Sequence, residues 1–265
     1  MRPKGRRHGN RARHGPAPVV LVHFGPVRVR TGCAPVWRGE LAGAGLSALP
    51  PAARWGHRAG VGIYQQQVLP RLINVLCGME VAGPYRARVC AGLHGRVLEI
   101  GFGSGHNVPF YPAAVTAVHA IEPSDVAWKL AAERVAASPV PVERSGLDGQ
   151  SLPLPDATCD TALSTYTLCT IPEVVAALKE VRRVLKPGGT LHFLDHGLAE
   201  DGKVQRWQHR LDPLQGRVFG GCRLTRRIAD VVTEAGFVIR ELDRFYEKGS
   251  PKSLGADYLG VAVSP

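Results

Sequence analysis

The sequence predicts an α/β fold built on a mostly parallel sheet, and two observations support this prediction. After Gly95, short apolar runs with the length of strands alternate with longer segments whose apolar residues recur at helical spacing. This alternation is typical of a parallel sheet that is covered by helices on both faces. The last two predicted strands have no helix between them, so we expect them to pair antiparallel.

The segment before this alternation is predicted to be helical. Apolar residues recur at helical spacing between Tyr64 and Val89, and Pro70 marks a helix start because proline suits a first turn. Lys186-Pro-Gly-Gly189 should end the second helix of the alternating region. In chain order the elements of that region are strands at 96–100 and 115–121, a helix at 125–137, strands at 140–144 and 159–163, a helix at 172–185, a strand at 190–194, a helix at 225–235, and strands at 237–245 and 258–263.

The net charge of +11 belongs almost entirely to the first part of the 265-residue chain. Residues 1–60 hold 11 basic residues and one acid, whereas residues 61–265 hold 22 basic and 21 acidic residues. The first segment is rich in Arg, Pro and Gly, so we expect a disordered extension, with sequence upstream of the true start as an alternative. Because the rest is nearly neutral, we expect no nucleic-acid partner.

Cysteine spacing and hydropathy exclude several further classes. The six cysteines form no C-x-x-C pair, which argues against a metal site and favours buried thiols in a reducing compartment. Among them, Cys169 and Cys222 are expected to be packing residues. No apolar run approaches the ~20 residues that span a bilayer. We therefore expect a cytoplasmic protein whose membrane contact, if any, is weak and peripheral.

A glycine-rich turn after the first predicted strand is the strongest local signal. The run is Val97-Leu-Glu-Ile-Gly-Phe-Gly-Ser-Gly105, and a helix is expected to follow it. Glycines let a ligand approach the backbone closely, and the N-terminal amides of a helix bind polar or negative groups. Glu122 ends the second strand, where a carboxylate can accept both hydroxyls of a ribose. Together these features predict a nucleoside site.

Two nucleoside cofactors fit this site. A dinucleotide favours the pattern G-x-G-x-x-G, whereas here the third glycine comes one residue earlier and Glu99 precedes the turn. S-adenosylmethionine has no pyrophosphate and carries an ammonium group, which a carboxylate near Glu99 would complement. We therefore predict S-adenosylmethionine. A nicotinamide-dependent oxidoreductase and a non-catalytic module that binds S-adenosylmethionine are the alternatives.

Several runs of the sequence resemble class I S-adenosylmethionine-dependent methyltransferases of the type 11 methyltransferase domain family. The two longest are Gly146–Asp156 and Glu180–Gly189. Shorter runs are similar to the small thiol methyltransferases and related methyltransferase-like proteins, namely Thr167–Thr170, Asp195–Gly197, Trp207-Gln208, Leu211–Pro213 and Gly221–Arg226. The resemblance covers roughly residues 61–265. It implies a Rossmann-like, seven-stranded sheet, parallel with an antiparallel last strand, and methyl transfer as the reaction.

The resemblance also implies a cofactor site at the carboxyl ends of the first four strands. The glycine turn would hold the methionine end, Glu122 the ribose, and the segment after the third strand the adenine. The implied cofactor-binding residues are Glu99, Gly101, Gly103, Gly105, Glu122, Pro123, Asp148, Gly149, Ser164 and Thr165.

The acceptor side is predicted from residues near the fourth and fifth strands. His196 and Asp195 are the catalytic candidates, because either could orient or deprotonate an acceptor, although a thiolate needs little base assistance. Tyr166, Trp207 and Tyr64 are expected on the substrate side. Ser164-Thr-Tyr-Thr167 stands where enzymes that methylate base amines carry an Asn/Asp-Pro-Pro-Tyr/Phe motif. That difference argues against a nucleic-acid acceptor.

The predicted domain has four parts after the extension. These are a leading helical cap at 61–94, a cofactor-binding core at 95–197, a substrate-capping segment at 198–224, and a C-terminal helix and hairpin at 225–265. The apolar residues of the capping segment favour a small apolar acceptor, which could be a thiol, a phenol-like or quinone-like compound, or a lipid. No metal is expected.

Overall fold

One sheet of seven strands organises residues 62–265, the part of the chain that the computed structural model describes. The predicted extension at residues 1–60 lies outside the described residues. The strands are β1 Gly95–Ile100, β2 Val115–Ile121, β3 Val142–Gly146, β4 Cys159–Thr165, β5 Leu185–His196, β6 Val238–Tyr246 and β7 Ala256–Val263. Their order across the sheet is β3-β2-β1-β4-β5-β7-β6.

Strand directions confirm the predicted fold class. Strands β1 to β5 pair in parallel, and β7 runs antiparallel between β5 and β6. The two strands without an intervening helix therefore do pair antiparallel. Because β1, β2, β4 and β5 are parallel neighbours, the residues that follow them meet at one edge of the sheet.

Six α-helices flank the sheet in the described part of the chain. They are α1 Leu69–Cys77, α2 Gly83–Cys90, α3 Asp125–Ala136, α4 Val174–Val184, α5 Gly202–Val218 and α6 Ile228–Glu234. A π-helical turn, Tyr64–Val68, leads into α1, and Pro70 lies in the first turn of α1 as predicted. None of the helices among residues 62–265 is long and apolar enough to cross a membrane.

The helix predicted after the glycine turn is absent, so that prediction was wrong. Between β1 and β2 the chain forms only the short 3₁₀ turn Val108–Phe110. Proline lacks an N–H and restricts the residue before it to extended conformations, so Pro112 stops the helix at Tyr111, whose φ and ψ are −65° and 124°. The glycine turn is therefore held by side chains rather than by a helix N-terminus.

The predicted capping segment, 198–224, contains a helix that the sequence pattern did not reveal. This helix is α5, in which Asp201 caps the N-terminus by accepting a hydrogen bond from the Lys203 N–H at 2.7 Å. Its buried residues are the polar Gln208 and Asp212, so no apolar stripe marks it, and Pro213 lies inside it. A search for apolar periodicity misses a helix of this kind.

The boundary between α4 and β5 also differs from the prediction. The helix ends at Val184 and the strand starts at Leu185, so Lys186-Pro-Gly-Gly189 belongs to the strand. A twelve-residue β5 results, longer than the run predicted at 190–194. The apolar stripe of α4 is buried against the sheet as expected, and Leu178 is fully buried within it.

Replacing Leu178 should test this packing. We expect Leu178→Ala to lower the free energy of unfolding by about 2–5 kcal/mol, because a fully buried leucine leaves a cavity when it is truncated. Denaturant unfolding followed by circular dichroism measures the change. Leu214→Ala is the control on α5, where the side chain is 62% exposed, and should change stability by less than about 0.5 kcal/mol. Equal losses for both variants would contradict the assigned core.

Candidate active site

Close contacts and backbone conformation require glycine in the turn at the end of β1. Gly101, Gly103 and Gly105 have φ values of 69°, 59° and 77°, in the region that favours glycine. A Cβ on Gly101 would lie 2.0 Å from Oγ1 of Thr167. At Gly103, by contrast, a Cβ would meet nothing nearer than 3.9 Å among the described residues. The turn is thus packed on one side and open for a ligand on the other.

Glu122, at the end of β2, fastens this turn. One carboxylate oxygen accepts a hydrogen bond from the Gly103 N–H at 2.7 Å, and the other accepts one from the Ser124 N–H at 2.7 Å. Burial raises the pKa of Glu122, and these two hydrogen bonds oppose that rise. Each oxygen keeps a second lone pair, so the carboxylate can still accept hydrogen bonds from ribose hydroxyls. Pro123 lies exposed beside it.

Glu99 lies at the centre of a buried polar network beneath the turn. Its carboxylate accepts hydrogen bonds from the hydroxyl of Tyr111 and from Nδ2 of Asn107, the latter at 2.8 Å. Asn107 in turn donates to Oγ1 of Thr165 at 2.9 Å and accepts from Arg86 at 2.6 Å. Burial raises the pKa of Glu99 to about 7, while these hydrogen bonds and the charge of Arg86 oppose the rise.

Three members of this network were missed by the sequence argument. Asn107 and Tyr111 follow the glycine turn within a few residues, and that proximity is a usable signal. Arg86 lies on α2 and reaches the network from a distant part of the sequence, so nothing in the local pattern marks it. Burial of an arginine without a paired carboxylate is unusual, and here Asn107, Thr165 and the Cys77 carbonyl accept its hydrogen bonds.

The predicted adenine-binding residues lie in the loop after β3. Oδ1 of Asp148 accepts a hydrogen bond from the Gln150 N–H at 2.8 Å, which is an Asx turn. Gly149 is buried, yet a Cβ added there would meet no atom of the described residues within 4 Å. A buried glycine beside free space fits a flat group such as a nucleobase.

The end of β4 and the residues that follow it lie beside the glycine turn. Tyr166 has a φ of 52°, which is uncommon for a bulky residue, and its ring centroid lies 4.9 Å from that of His196. The hydroxyls of Ser164 and Tyr166 are buried and have no hydrogen-bond partner among residues 62–265. Because buried polar atoms are normally paired, these two hydroxyls mark places where a ligand can supply the partner.

Asp195, one of the two catalytic candidates, holds the turn after β4. Its fully buried carboxylate accepts hydrogen bonds from the N–H groups of Thr167, Leu168 and Cys169 at 2.7, 2.6 and 3.2 Å. Burial raises the pKa of Asp195, and the hydrogen bonds and the charge of His196 oppose this. Its contacts are those of a structural anchor, so a proton-transfer role for Asp195 has no support in the geometry.

His196, the second candidate, forms a pair with Asp257 on the adjacent strand β7. Nδ1 of His196 lies 2.7 Å from Oδ1 of Asp257, and the side chain of His196 is 25% exposed whereas that of Asp257 is fully buried. Burial lowers the pKa of His196, but the hydrogen bond and charge of Asp257 outweigh it and raise the pKa to about 9. The carboxylate of Asp257 therefore favours the imidazolium form of the ring, in which Nδ1 donates to Asp257.

Asp257 was also missed by the sequence argument, although a signal existed. It is an acid within the otherwise apolar strand Ala256–Val263, and such a residue needs a partner. Of the predicted substrate-side residues, Tyr64 donates its hydroxyl to the Val218 carbonyl at 2.8 Å and so ties the leading turn to α5. Trp207 is 57% exposed and packs beside Arg210, so its acceptor role stays a prediction.

The fold and the site define a class I S-adenosylmethionine-dependent methyltransferase. A family model described as a methyltransferase domain matches residues 98–193. Human thiol S-methyltransferase TMT1A is 33% identical over 206 residues, which cover 76% of this chain and 81% of that protein. The chain therefore belongs to the family of S-adenosylmethionine-dependent methyltransferases that includes the thiol S-methyltransferases, and S-adenosylmethionine is its cofactor.

Two further similarities agree with this family. A phosphatidylethanolamine N-methyltransferase of Cereibacter sphaeroides is 33% identical over 113 residues, 42% of this chain and 55% of that protein. The structure of a methyltransferase-like protein of Bacillus halodurans shares the fold with a TM-score of 0.58 at 19% identity, covering 70% of this chain and 99% of that one. The solved structure shows the fold, and the relatives named as methyltransferases support the methyltransferase prediction over the nicotinamide-dependent alternative.

The raised pKa of Glu99 leads to a prediction about cofactor affinity. If Glu99 complements the ammonium of S-adenosylmethionine, it must be ionised, so affinity should rise by about fivefold from pH 6 to pH 7 as a carboxylate of pKa about 7 loses its proton. Between pH 6 and pH 7 the α-amino group of S-adenosylmethionine stays mostly protonated, since its pKa is about 8, so the change in affinity reports Glu99. Isothermal titration calorimetry measures the change. Glu99→Gln should weaken binding and abolish the pH dependence.

The stability of this variant separates lost affinity from misfolding. Because the pKa of Glu99 is raised in the folded protein, its ionisation destabilises the fold as the pH rises from the ordinary glutamate pKa towards 7. At pH 8 this cost is fully present, so Glu99→Gln should not lower the Tm. Glu133→Gln, on the exposed face of α3, is the matched control and should leave affinity unchanged. An affinity of the unmodified protein that stays constant from pH 6 to 7 would contradict the role of Glu99.

Proposed function

We propose that this chain transfers the methyl group of S-adenosylmethionine to the sulfur of a small apolar thiol. The observation that carries the proposal is the pair formed by His196 and Asp257 at the end of β5, with an Nδ1–Oδ1 distance of 2.7 Å. An imidazolium held there attracts an anionic acceptor. A thiol ionises near a pKa of about 8.5, whereas a phenol needs about 10, so the thiol is the acceptor that this cation most readily converts to its anion.

Each residue of this site has a distinct part in the proposed reaction. When bound, S-adenosylmethionine supplies an electrophilic methyl group on a sulfonium, whose C–S electron pair stays with S-adenosylhomocysteine as the new bond forms. His196 holds the acceptor as its thiolate by charge, and Asp257 keeps the imidazole protonated and fixed in orientation. The ring of Tyr166 lies beside the imidazole and offers an apolar surface to the acceptor. Fixing the acceptor at reacting distance supplies much of the acceleration.

The relatives that are thiol S-methyltransferases support sulfur as the acceptor atom. The human relative that covers most of this chain is a thiol S-methyltransferase. The bacterial relative named as a phosphatidylethanolamine N-methyltransferase makes a lipid amine the second candidate. A lipid amine is protonated at neutral pH and must lose that proton before it attacks. An imidazolium cannot accept the proton, so the His196–Asp257 pair favours the thiol. A cytoplasmic location stays a prediction from the sequence.

Three acceptors with one ring and different nucleophilic atoms test the proposal. Benzenethiol, phenol and aniline present the same apolar body, so differences in rate report the sulfur, oxygen or nitrogen atom. With labelled S-adenosylmethionine at pH 7.5, we expect methylation of benzenethiol to exceed that of phenol and aniline by at least about tenfold after subtraction of the rate without enzyme. Mass spectrometry of the products gives the rates.

Vesicles that contain phosphatidylethanolamine provide the comparison with a lipid acceptor. Faster methylation of the lipid or of aniline than of benzenethiol would contradict a thiol acceptor. A labelled product with any of these compounds would still confirm methyl transfer. The acceptor and the reaction class are therefore judged by separate results.

Asp257→Asn should show whether His196 acts as an imidazolium or as a general base. Benzenethiol is mostly a thiolate above pH 7, so with saturating S-adenosylmethionine kcat/KM should stay level from pH 7 to about pH 9 and fall above it as His196 loses its proton. In Asp257→Asn the fall should begin near the ordinary histidine pKa of about 6.5, which lowers the rate at pH 7.5 by about tenfold. Initial rates across pH 6 to 10 measure both profiles.

Asp243→Asn is the matched control for this variant. Asp243 lies on β6 and pairs at the surface with Arg88, so its loss should leave the profile unchanged. Affinity for S-adenosylmethionine should also remain within about twofold in Asp257→Asn, because the pair lies outside the glycine turn. A rate that rises through pH 9 would instead indicate a neutral histidine acting as a base.

A further inference from the structure

Cys169 and Cys222 bring two thiols together beside the candidate active site. Their Sγ atoms lie 3.5 Å apart, although 53 positions separate the residues in the sequence. Cys169 belongs to the turn after β4 that Asp195 holds, and Cys222 lies in the loop between α5 and α6. Both are free thiols, and both are buried. The reaction proposed above uses neither of them.

The backbones that carry these thiols are already adjacent. The Arg223 N–H donates a hydrogen bond to the Cys169 carbonyl at 3.0 Å, and the Arg226 guanidinium donates to the carbonyls of Leu168 and Ile171. A disulfide has an S–S distance of about 2.05 Å, so the sulfur atoms need to approach by only about 1.5 Å. Rotation of the two side chains about χ1 together with a small loop movement can supply this.

The two thiols also differ in reactivity. The hydrogen bond between them lowers the pKa of Cys222 and raises that of Cys169, and the positive charge of His196 also favours the thiolate of Cys222. Cys222 keeps 6% of its surface exposed, against 1% for Cys169. Because a thiolate is the nucleophile that attacks peroxides, Cys222 is the residue that reacts first and Cys169 is the one that resolves the product.

We propose that Cys169 and Cys222 form a reversible disulfide that clamps the loop between α5 and α6 onto the turn after β4. The oxidant is a hydroperoxide. The Cys222 thiolate attacks one peroxide oxygen, the O–O bond breaks, and a sulfenic acid forms as hydroxide leaves. The Cys169 thiol then attacks that sulfur, the S–S bond forms, and water leaves after proton transfer. In total two thiols lose two electrons and two protons, and one hydrogen peroxide becomes two waters.

The disulfide would act on the acceptor side of the site. Phe219 to Arg227 link α5 to α6, and this loop lies against the turn whose Tyr166 packs on His196. A covalent link between loop and turn removes the freedom of the loop to move away when an acceptor enters. Formation of the link does not depend on which acceptor the enzyme uses, so it can be tested without one.

Peptide mapping of the full chain tests the proposal. The protein is reduced with a phosphine, freed of reductant, treated with hydrogen peroxide and digested for mass spectrometry. We expect a peptide pair joined through Cys169 and Cys222, which the phosphine separates again. Hydrogen exchange at residues 216–226 should become at least about tenfold slower in the oxidised protein. A phosphine is used because a thiol reductant could itself be methylated.

Three serine variants control the experiment. Cys169→Ser should stop at a sulfenic acid on Cys222, which dimedone traps, and should show no slowing of exchange. Cys222→Ser should give neither product. Cys159→Ser removes a buried thiol on β4 and should still form the link. Absence of the joined peptide in the unmodified protein, or a link from Cys222 to another cysteine, would overturn the proposal. A link that leaves hydrogen exchange unchanged would overturn the clamp.

Discussion

The carboxylate of Asp195 is the constraint on which the site depends. A buried anion must be compensated, and here three consecutive main-chain N–H groups, those of Thr167, Leu168 and Cys169, point at it. These hydrogen bonds fix the turn between β4 and α4 against the end of β5. The turn then places Thr167 against Gly101, so the chain can pass the glycine turn only if residue 101 has no Cβ. One buried charge thus positions both walls of the site.

The site as a whole gathers negative charge at one edge of the sheet. Glu99, Glu122, Asp195 and Asp257 are all buried there, and the buried or partly buried cations close to them are Arg86, Arg144, His196 and Arg226. Burial raises the pKa of Glu99, Glu122 and Asp195, which shows that the folded protein alone compensates these charges incompletely. S-adenosylmethionine carries a sulfonium, an ammonium and a carboxylate, so its binding at this edge, as predicted, would bring a net positive charge close to these carboxylates.

Sequence reasoning found the parts of this arrangement that are local in the chain. The alternation of strands and helices predicted the sheet, and the glycine turn with Glu122 predicted a cofactor, because each is a short pattern with its own spacing. It missed α5, whose buried face is polar, and the helix expected after the glycine turn was stopped by Pro112. Arg86 and the Cys169–Cys222 contact were out of reach, since each depends on segments that only the folded chain brings together, and Asp257 was marked only as an acid within an apolar strand, without its partner.

The turn held by Asp195 also connects the two ends of the site energetically. Thr167 packs on the glycine turn, and two residues later Cys169 lies against Cys222. A shift of this turn on cofactor binding would change the distance between the two sulfur atoms, and closure of the disulfide would change the fit of Thr167 to Gly101. Thermodynamic linkage makes such an effect reciprocal. If S-adenosylmethionine alters the tendency of the thiols to join, the disulfide must alter the affinity for S-adenosylmethionine by the same factor.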